Sequence, residues 1–358
     1  MTAPSLEAGV WSEQGTTPSA VAEALRGLLR ERHAQSDAFV PARVLNLVVI
    51  ADREWRGEIQ NRLEKVGRYH ASRTILCAVE PGREAIDGWA AVTAPHHEGD
   101  SGALVVGQEE IVLDIGPHHL EHLNSIVDPL VVTDLATLVW SPHGHPEAVD
   151  ALLDLAQVVL LDSVNEPDPT QALHRADQLA ERAYVVDLAW LRSTPWRERV
   201  AATFDPPEWR GDLGKISAIT VRHSPYSVIA GLLFLGWMAV RLGWEPGAMV
   251  SQGGVLQGTA HGRRQDVRMR LEPDETMSTP GFAGLTVETA SGMSLSLDRG
   301  PGGLSACRTD RKGHESRWTV MGASRGEAGI LGEGIRQALL RDKSYGPALA
   351  AVKVMVAG

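Results

Sequence analysis

Cysteine is nearly absent from this chain: of 358 residues only Cys77 and Cys307 are cysteines, 230 positions apart. Neither sits in a CxxC or Cys/His spacing, which excludes a disulfide framework and points to a reducing, cytoplasmic compartment. Positive charge is in deficit, with 34 Lys+Arg against 45 Asp+Glu and a formal net charge of −11. Nucleic-acid backbones and anionic membranes need a concentrated positive surface, so neither is expected as a partner. Long hydrophobic runs are missing too. The longest, Val228 to Val240, has 13 residues including two glycines, short of the about 20 that a bilayer span requires, and it is expected to form a buried helix. The opening stretch MTAPSLEAGVWSEQGTTPS has neither the basic start nor the apolar stretch of a signal peptide, and none is expected. With 43% apolar and 22% charged residues, a buried core is expected and wholesale disorder is not.

The nucleotide motifs are also missing. The turn after the first apolar strand is Asp52-Arg53-Glu54-Trp55-Arg56-Gly57, with no G-x-G-x-x-G to let backbone approach a pyrophosphate, and no G-x-x-x-x-G-K-[ST] occurs anywhere. The Gly-rich stretches Ser251–Gly254 and Pro301–Gly303 sit between strand candidates and read as hairpin turns. No cofactor is expected.

What is present divides the chain at about residue 205. Residues 1–17 are Ser/Thr/Gly/Pro-rich and expected to be flexible. Val21, Leu25, Leu28 and Leu29 then recur at helical spacing over Ser19–Ala34, and Val44–Ala51 is a β-branched apolar run of the kind that is covered on both faces. A helix at Glu54–Val66 and a strand at Arg73–Val79 complete a βαβ unit. Further strands are expected near Trp89–Thr93, Glu110–Ile115, Leu135–Trp140 and Val158–Leu161. Helices are expected at His118–Val127, from Pro146, and at Thr170–Arg182. This alternation predicts an α/β domain over 18–205 with a mostly parallel sheet. Asp205-Pro206-Pro207 stops the preceding helix. Beyond it, Lys215–Arg222, Val267–Leu271, Gly284–Glu288, Met293–Leu297 and Arg317–Met321 are short alternating segments around the helix Val228–Leu242, and a last helix covers about Glu327–Leu340. Residues 206–358 therefore read as an α+β domain with an antiparallel sheet.

Two motifs suggest catalysis. Gly322-Ala323-Ser324-Arg325-Gly326 fits G-x-S-x-G between a strand and a helix, but no His follows Ser324, as an α/β-hydrolase requires. Ser324 with Glu327 instead makes a capping box. His118-His119-Leu120-Glu121-His122 fits H-x-x-E-H. On an α-helix His118 and His122 would share a face and hold Zn²⁺, with Glu121 as base and a third ligand from His96, His97, His143 or His145. A zinc-dependent hydrolase on these residues is one alternative reading, and a sugar-phosphate- or nucleotide-sensing module in the α/β half is another. Exposed imidazoles at a helix start after Gly116-Pro117 are the simpler account.

The aromatic balance is the stronger signal: ten Trp against four Tyr and four Phe. Trp190, Trp196 and Trp209 fall close together, interleaved with Arg192, Arg197 and Arg199, where a short apolar strand runs into Thr194 as N-cap and Pro195 at N1. Trp and Arg are enriched at interface hot spots. Any one of these Trp fits a core position as well, but the arginines argue for a partner surface.

That same segment, DLAWLRSTPWRERVAATFDPPEW, resembles the signature of the OpcA family, the glucose-6-phosphate dehydrogenase assembly proteins. The likeness continues through Arg43–Ala51, through His70-Ala71-Ser72-Arg73-Thr74-Ile75, and through Ile126–Pro142, whose strand ends in Trp140. It is strongest over 43–210 and weaker in the Gly-rich half. The resemblance implies a non-catalytic protein that binds glucose-6-phosphate dehydrogenase and promotes its active oligomer. No residue role transfers from the family; the Trp/Arg pattern itself makes Trp140, Trp190, Arg192, Trp196 and Arg197 the expected partner-binding residues, so that Trp196→Ala with Arg197→Ala is expected to weaken dehydrogenase activation without unfolding the chain. The thiol-redox control associated with photosynthetic members is not expected from two isolated cysteines.

Overall fold

The computed structural model describes residues 9–35, 39–41, 43–67, 71–93, 105–166, 168–321 and 326–357. The chain divides into two compact units, one running to Leu161 and taking in Leu179–Val186, the other made of Asp162–Gln178 and Asp187 onward. Residues 188–205 thus belong to the second unit rather than the first. The helix Thr194–Phe204 does end before Asp205, but it and the helix Leu188–Arg192 bury Trp190, Leu191, Trp196, Val200 and Phe204. The Trp196 ring lies 5.6 Å from Phe282 of the second unit. A proline stop marks a helix end; the buried apolar face decides the domain.

The first unit is an α/β layer on a nine-stranded sheet. In spatial order the strands are Gly9–Glu13, Asp87–Thr93, Val105–Ile115, Ser72–Val79, Leu45–Asp52, Thr137–Trp140, Val158–Leu161 and Tyr184–Asp187, with Phe39–Pro41 also pairing Val105–Ile115. From Val105–Ile115 to Val158–Leu161 neighbours run parallel. Seven of eight residues in Leu45–Asp52 are buried, as expected for a strand covered on both faces. Gly9–Glu13, within the stretch expected to be flexible, is a strand antiparallel to Asp87–Thr93. Gly88 makes room for it: a Cβ there would stand 2.8 Å from Val21 Cγ2 and 3.2 Å from the Trp11 ring. The helix expected at His118–Val127 is two pieces, a 3₁₀ turn Pro117–His122 and a short helix Leu123–Val127.

The second unit is an α+β layer. Its strand order is Glu245–Pro246, Val255–His261, Asp266–Pro273, Ile216–His223, Phe282–Thr289, Ser294–Gly300, Gly303–Thr309 and Glu315–Met321, with Val250–Gln252 also on Val255–His261. All neighbours are antiparallel except Ile216–His223 with Asp266–Pro273. Asp266–Pro273 shows the alternation of one face buried and one open. The strands Val255–His261 and Gly303–Thr309 escape sequence patterning because Gly, Gln, Ser and Cys interrupt their apolar alternation. The helix Val228–Leu242 buries ten residues, Phe234 and Leu235 among them. Against it lies Tyr345–Val356, a helix beyond the expected chain-closing Gly326–Leu340.

Candidate functional site

The Trp/Arg segment is built from the inside. The strand Tyr184–Asp187 does not continue to Thr194; it stops at Asp187, whose carboxylate accepts from Ala189 N at 2.9 Å and caps the helix Leu188–Arg192. Ser163 Oγ donates to the same carboxylate at 2.5 Å and Tyr345 Oη at 3.3 Å. Burial pushes the Asp187 carboxyl up to about 6, against the pull of these bonds. One turn on, the guanidinium of Arg197 covers the Trp190 ring at 3.3 Å and donates to Trp190 O, Ser193 Oγ and Thr194 Oγ1. Burial lowers the Arg197 pKa to about 9. Trp190 Nε1 donates to Asp342 at 3.2 Å. Arg192 holds Asp162 with two 2.7 Å bonds and Glu327 with two more, at 3.2 and 2.7 Å; burial opposes its charge, but these carboxylates outweigh it and raise its pKa.

Trp190, Arg192, Trp196 and Arg197 are therefore brought together, but inward. Trp190, Trp196 and Arg197 are 2%, 3% and 8% exposed. Trp140 is equally buried, in the first unit's sheet. Arg192 and Arg197 do not mark a surface: Arg197 finds an aromatic face and a carbonyl inside, and Arg192 two carboxylates. Arg192's partners lie 30 and 135 residues away, beyond any local sequence signal. Trp196 and Arg192 do line one cleft of about 440 Å³, shared with Thr194, Thr279, Arg299 and Glu333.

An outward Trp/Arg cluster exists elsewhere in the second unit. Arg308 lies between Trp209, 4.3 Å from its guanidinium carbon, and Trp318, at 6.0 Å. Arg311 is also over Trp209, at 5.9 Å, and is tied to the fully buried Asp212 at 2.6 Å. Trp318 is 37% exposed and belongs to Glu315–Met321, the outermost strand of the sheet, with Met321 73% exposed. Only Trp209 of this set carried a sequence signal; Arg308 and Trp318 meet it through strand register, Ala306 facing Trp318 across the pair.

In the first unit, H-x-x-E-H lies on the 3₁₀ turn Pro117–His122. At three residues per turn His118 and His122 point apart, and His118 stacks on His119 at 3.9 Å instead. Among the described residues no group of three or more His, Cys, Asp or Glu is placed to hold a metal. His70, His96, His97 and Ser324 lie outside the described residues. At the carboxyl ends of the central strands is a crevice of about 880 Å³ lined by Asp52, Arg53, Arg56 and Glu80. Arg53 pairs with Glu80 at 2.7 Å and Arg56 with Asp114 at 3.3 Å. His145, at φ 55, hydrogen-bonds Asp52 at 3.0 Å beside it. Both cysteines are free, and burial pushes the Cys77 thiol up to about 12.

Among solved structures the chain is similar to an oxidoreductase, YvaA, of Bacillus subtilis (11% identity, TM-score 0.48, 87% of this chain and 95% of that one). It is also similar to the WlbA dehydrogenase of Thermus thermophilus (13%, TM-score 0.45, 87% and 94%). Neither likeness carries an argument about function. Proteins named as the OxPP cycle protein OpcA are nearer in sequence. The one from Synechocystis is 33% identical over 142 residues, 38% of this chain and 30% of that protein. The one from Synechococcus elongatus is 27% identical over 216 residues, 59% and 47%. The match thus spans less than half the length of these relatives. Residues 63–178 match the family model described as the glucose-6-phosphate dehydrogenase subunit N-terminal domain, and 183–349 match that of its C-terminal domain. With both domain models matched in order, the chain belongs to the OpcA family.

Proposed function

We propose that this chain is a non-catalytic, cytoplasmic assembly factor that binds glucose-6-phosphate dehydrogenase and promotes its active oligomer in the oxidative pentose phosphate pathway. The observation that carries this reading is the tandem match of both dehydrogenase-subunit domain models. The chemistry of the chain supports it: the H-x-x-E-H pattern lacks a common face, and the arginines of the central crevice are held by acids. A factor of this kind acts by binding one state of its partner better than another; moving an equilibrium from 1:99 to 99:1 takes about 5.5 kcal/mol of differential affinity. Trp209, Arg308 and Trp318 supply the contact, since a Trp/Arg cluster that reaches the outermost strand through Trp318 has hot-spot composition. The test mixes the purified chain with glucose-6-phosphate dehydrogenase from the same source. Light scattering after size exclusion is expected to show a joint, larger species, and NADPH formation to rise. Separate elution with unchanged activity would overturn the proposal.

A further inference from the structure

We propose that the 440 Å³ cleft of the second unit binds a small polyhydroxylated ligand with one terminal oxyanion, a phosphate or a carboxylate, and that Arg299 holds the anion. The volume lies within the about 300–1,000 Å³ of small-molecule sites.

Four charged side chains line the cleft: Arg192, Arg299, Glu327 and Glu333. Three are already balanced. Arg192 is spent on Asp162 and Glu327, and Glu333 is bound by Arg336 and Gln337. Arg299 differs. Its Nε donates to the carbonyl of Phe282 at 3.0 Å, and among the described residues it makes no ion pair. Surrounding atoms lower its pKa with no acid to offset them. Gly281, at φ 112, keeps space beside the guanidinium, since a Cβ there would stand 3.1 Å from Nη2. An oxyanion is the partner whose charge and fork geometry suit the unused nitrogens.

The other walls select the rest of the ligand. Thr194 Oγ1 accepts from Arg197 and keeps its own O–H to donate; Thr279 adds a second hydroxyl. The Glu327 carboxylate, held by Arg192, has lone pairs for ligand hydroxyls, and with Glu333 it repels a second anion. Gly300 and Gly302 present bare backbone, and Leu191, Trp196 and Ile330 form the apolar side. One anion, several hydroxyls and a compact carbon face describe a sugar phosphate or sugar acid.

Calorimetric titration of the full chain, with no dehydrogenase present, tests this independently of the assembly role. The probes are a hexose 6-phosphate, the corresponding hexonate, the free hexose and inorganic phosphate. Saturable binding is expected for the hexose phosphate or the hexonate, whichever is tighter fixing the anion, and at least tenfold weaker binding for the free hexose and inorganic phosphate. Arg299→Ala is expected to weaken the preferred probe at least tenfold and Arg299→Lys less, with circular dichroism unchanged. If Arg299→Ala fails to fold, Thr279→Ala is expected to weaken the same probe at least threefold. Absence of saturable binding to either anionic sugar, or equal affinity in a folded Arg299→Ala chain, would overturn the proposal.

Discussion

The guanidinium of Arg197 lies 3.3 Å from the centre of the Trp190 ring, with both residues buried. A cation over an indole face is worth more when water is excluded, about 2 kcal/mol against about 0.5–1 at a surface. The three hydrogen bonds from Arg197 to Trp190, Ser193 and Thr194 share the task of keeping a desolvated charge satisfied. The pair locks the turn between two short helices, and Asp342 and Tyr345 from the chain's last segment close on the same indole. A Trp/Arg segment that reads as a partner surface is in this fold the clasp of a domain.

Trp196→Ala together with Arg197→Ala is accordingly expected to destabilise the second unit. Removing a buried Trp side chain costs about 3–5 kcal/mol, and stranding the acceptors of Arg197 about 1–3 kcal/mol more. As neighbours the two changes will not add strictly. Urea denaturation should show a midpoint shift corresponding to at least about 3 kcal/mol. A double variant as stable as the parent would contradict the buried placement.

Asp187 gives a pH signature. Its carboxyl is lifted from 3.8 to about 6 by burial, so the folded state holds its proton more tightly than the unfolded chain. The contribution is fully present below about pH 4 and is lost as pH rises to about 6, a swing of about 3 kcal/mol at 1.36 kcal/mol per pKa unit. Asp187→Asn, which keeps an oxygen for Ala189 N, should remove that slope. Its stability relative to the parent is expected to rise between pH 4 and 7, read by thermal melts across the range. Parallel pH profiles for the two proteins would refute the assignment.

Much of the architecture is legible in the sequence because the signals are local. The apolar run Leu45–Asp52, the helix Val228–Leu242 and the alternation in Asp266–Pro273 each declare their burial by spacing alone. Gly303–Thr309 does not, because Gly303, Ser305 and Cys307 leave it too few large apolar residues to advertise a strand. The cleft is least legible. Thr194, Thr279 and Arg299 come from a helix, a loop and a strand, and no spacing within any one of them records the others. Arg192 was conspicuous but its meaning was not, since whether an Arg faces a partner or Asp162 depends on a fold contact 30 residues away.

Gly236 tests the helix pairing in the core of the second unit. A Cβ there would lie 2.6 Å from the carbonyl oxygen of Ala348 and 2.9 Å from Val352 Cγ2, so the helices Val228–Leu242 and Tyr345–Val356 approach at glycine distance. Ala would ordinarily gain about 1 kcal/mol over Gly inside a helix. Here overpacking against backbone, costing about 1–3 kcal/mol, should outweigh that gain. Gly236→Ala is expected to lower the melting temperature and Gly236→Val to lower it further; a stabilised Gly236→Ala would mean the helices can part at no cost.

Arg308 and Trp318 make the sharpest contrast with the buried pair. Both sit at the rim of the sheet, Trp318 more than a third exposed, and Arg308 bridges it to Trp209. An exposed cation–π contact contributes about 0.5–1 kcal/mol to the fold, so Arg308→Ala with Trp318→Ala should leave the melting temperature within a few degrees of the parent. If this rim is where the chain meets glucose-6-phosphate dehydrogenase, the same change removes two hot-spot side chains, each worth about 2 kcal/mol or more in binding. Affinity measured by surface plasmon resonance should then fall at least about tenfold. The outermost strand gives an independent control. Thr319 lies on the opposite face of Glu315–Met321 from Trp318, so a charge there should leave the affinity unchanged. A folded double variant that binds the dehydrogenase like the parent would move the interface off this rim.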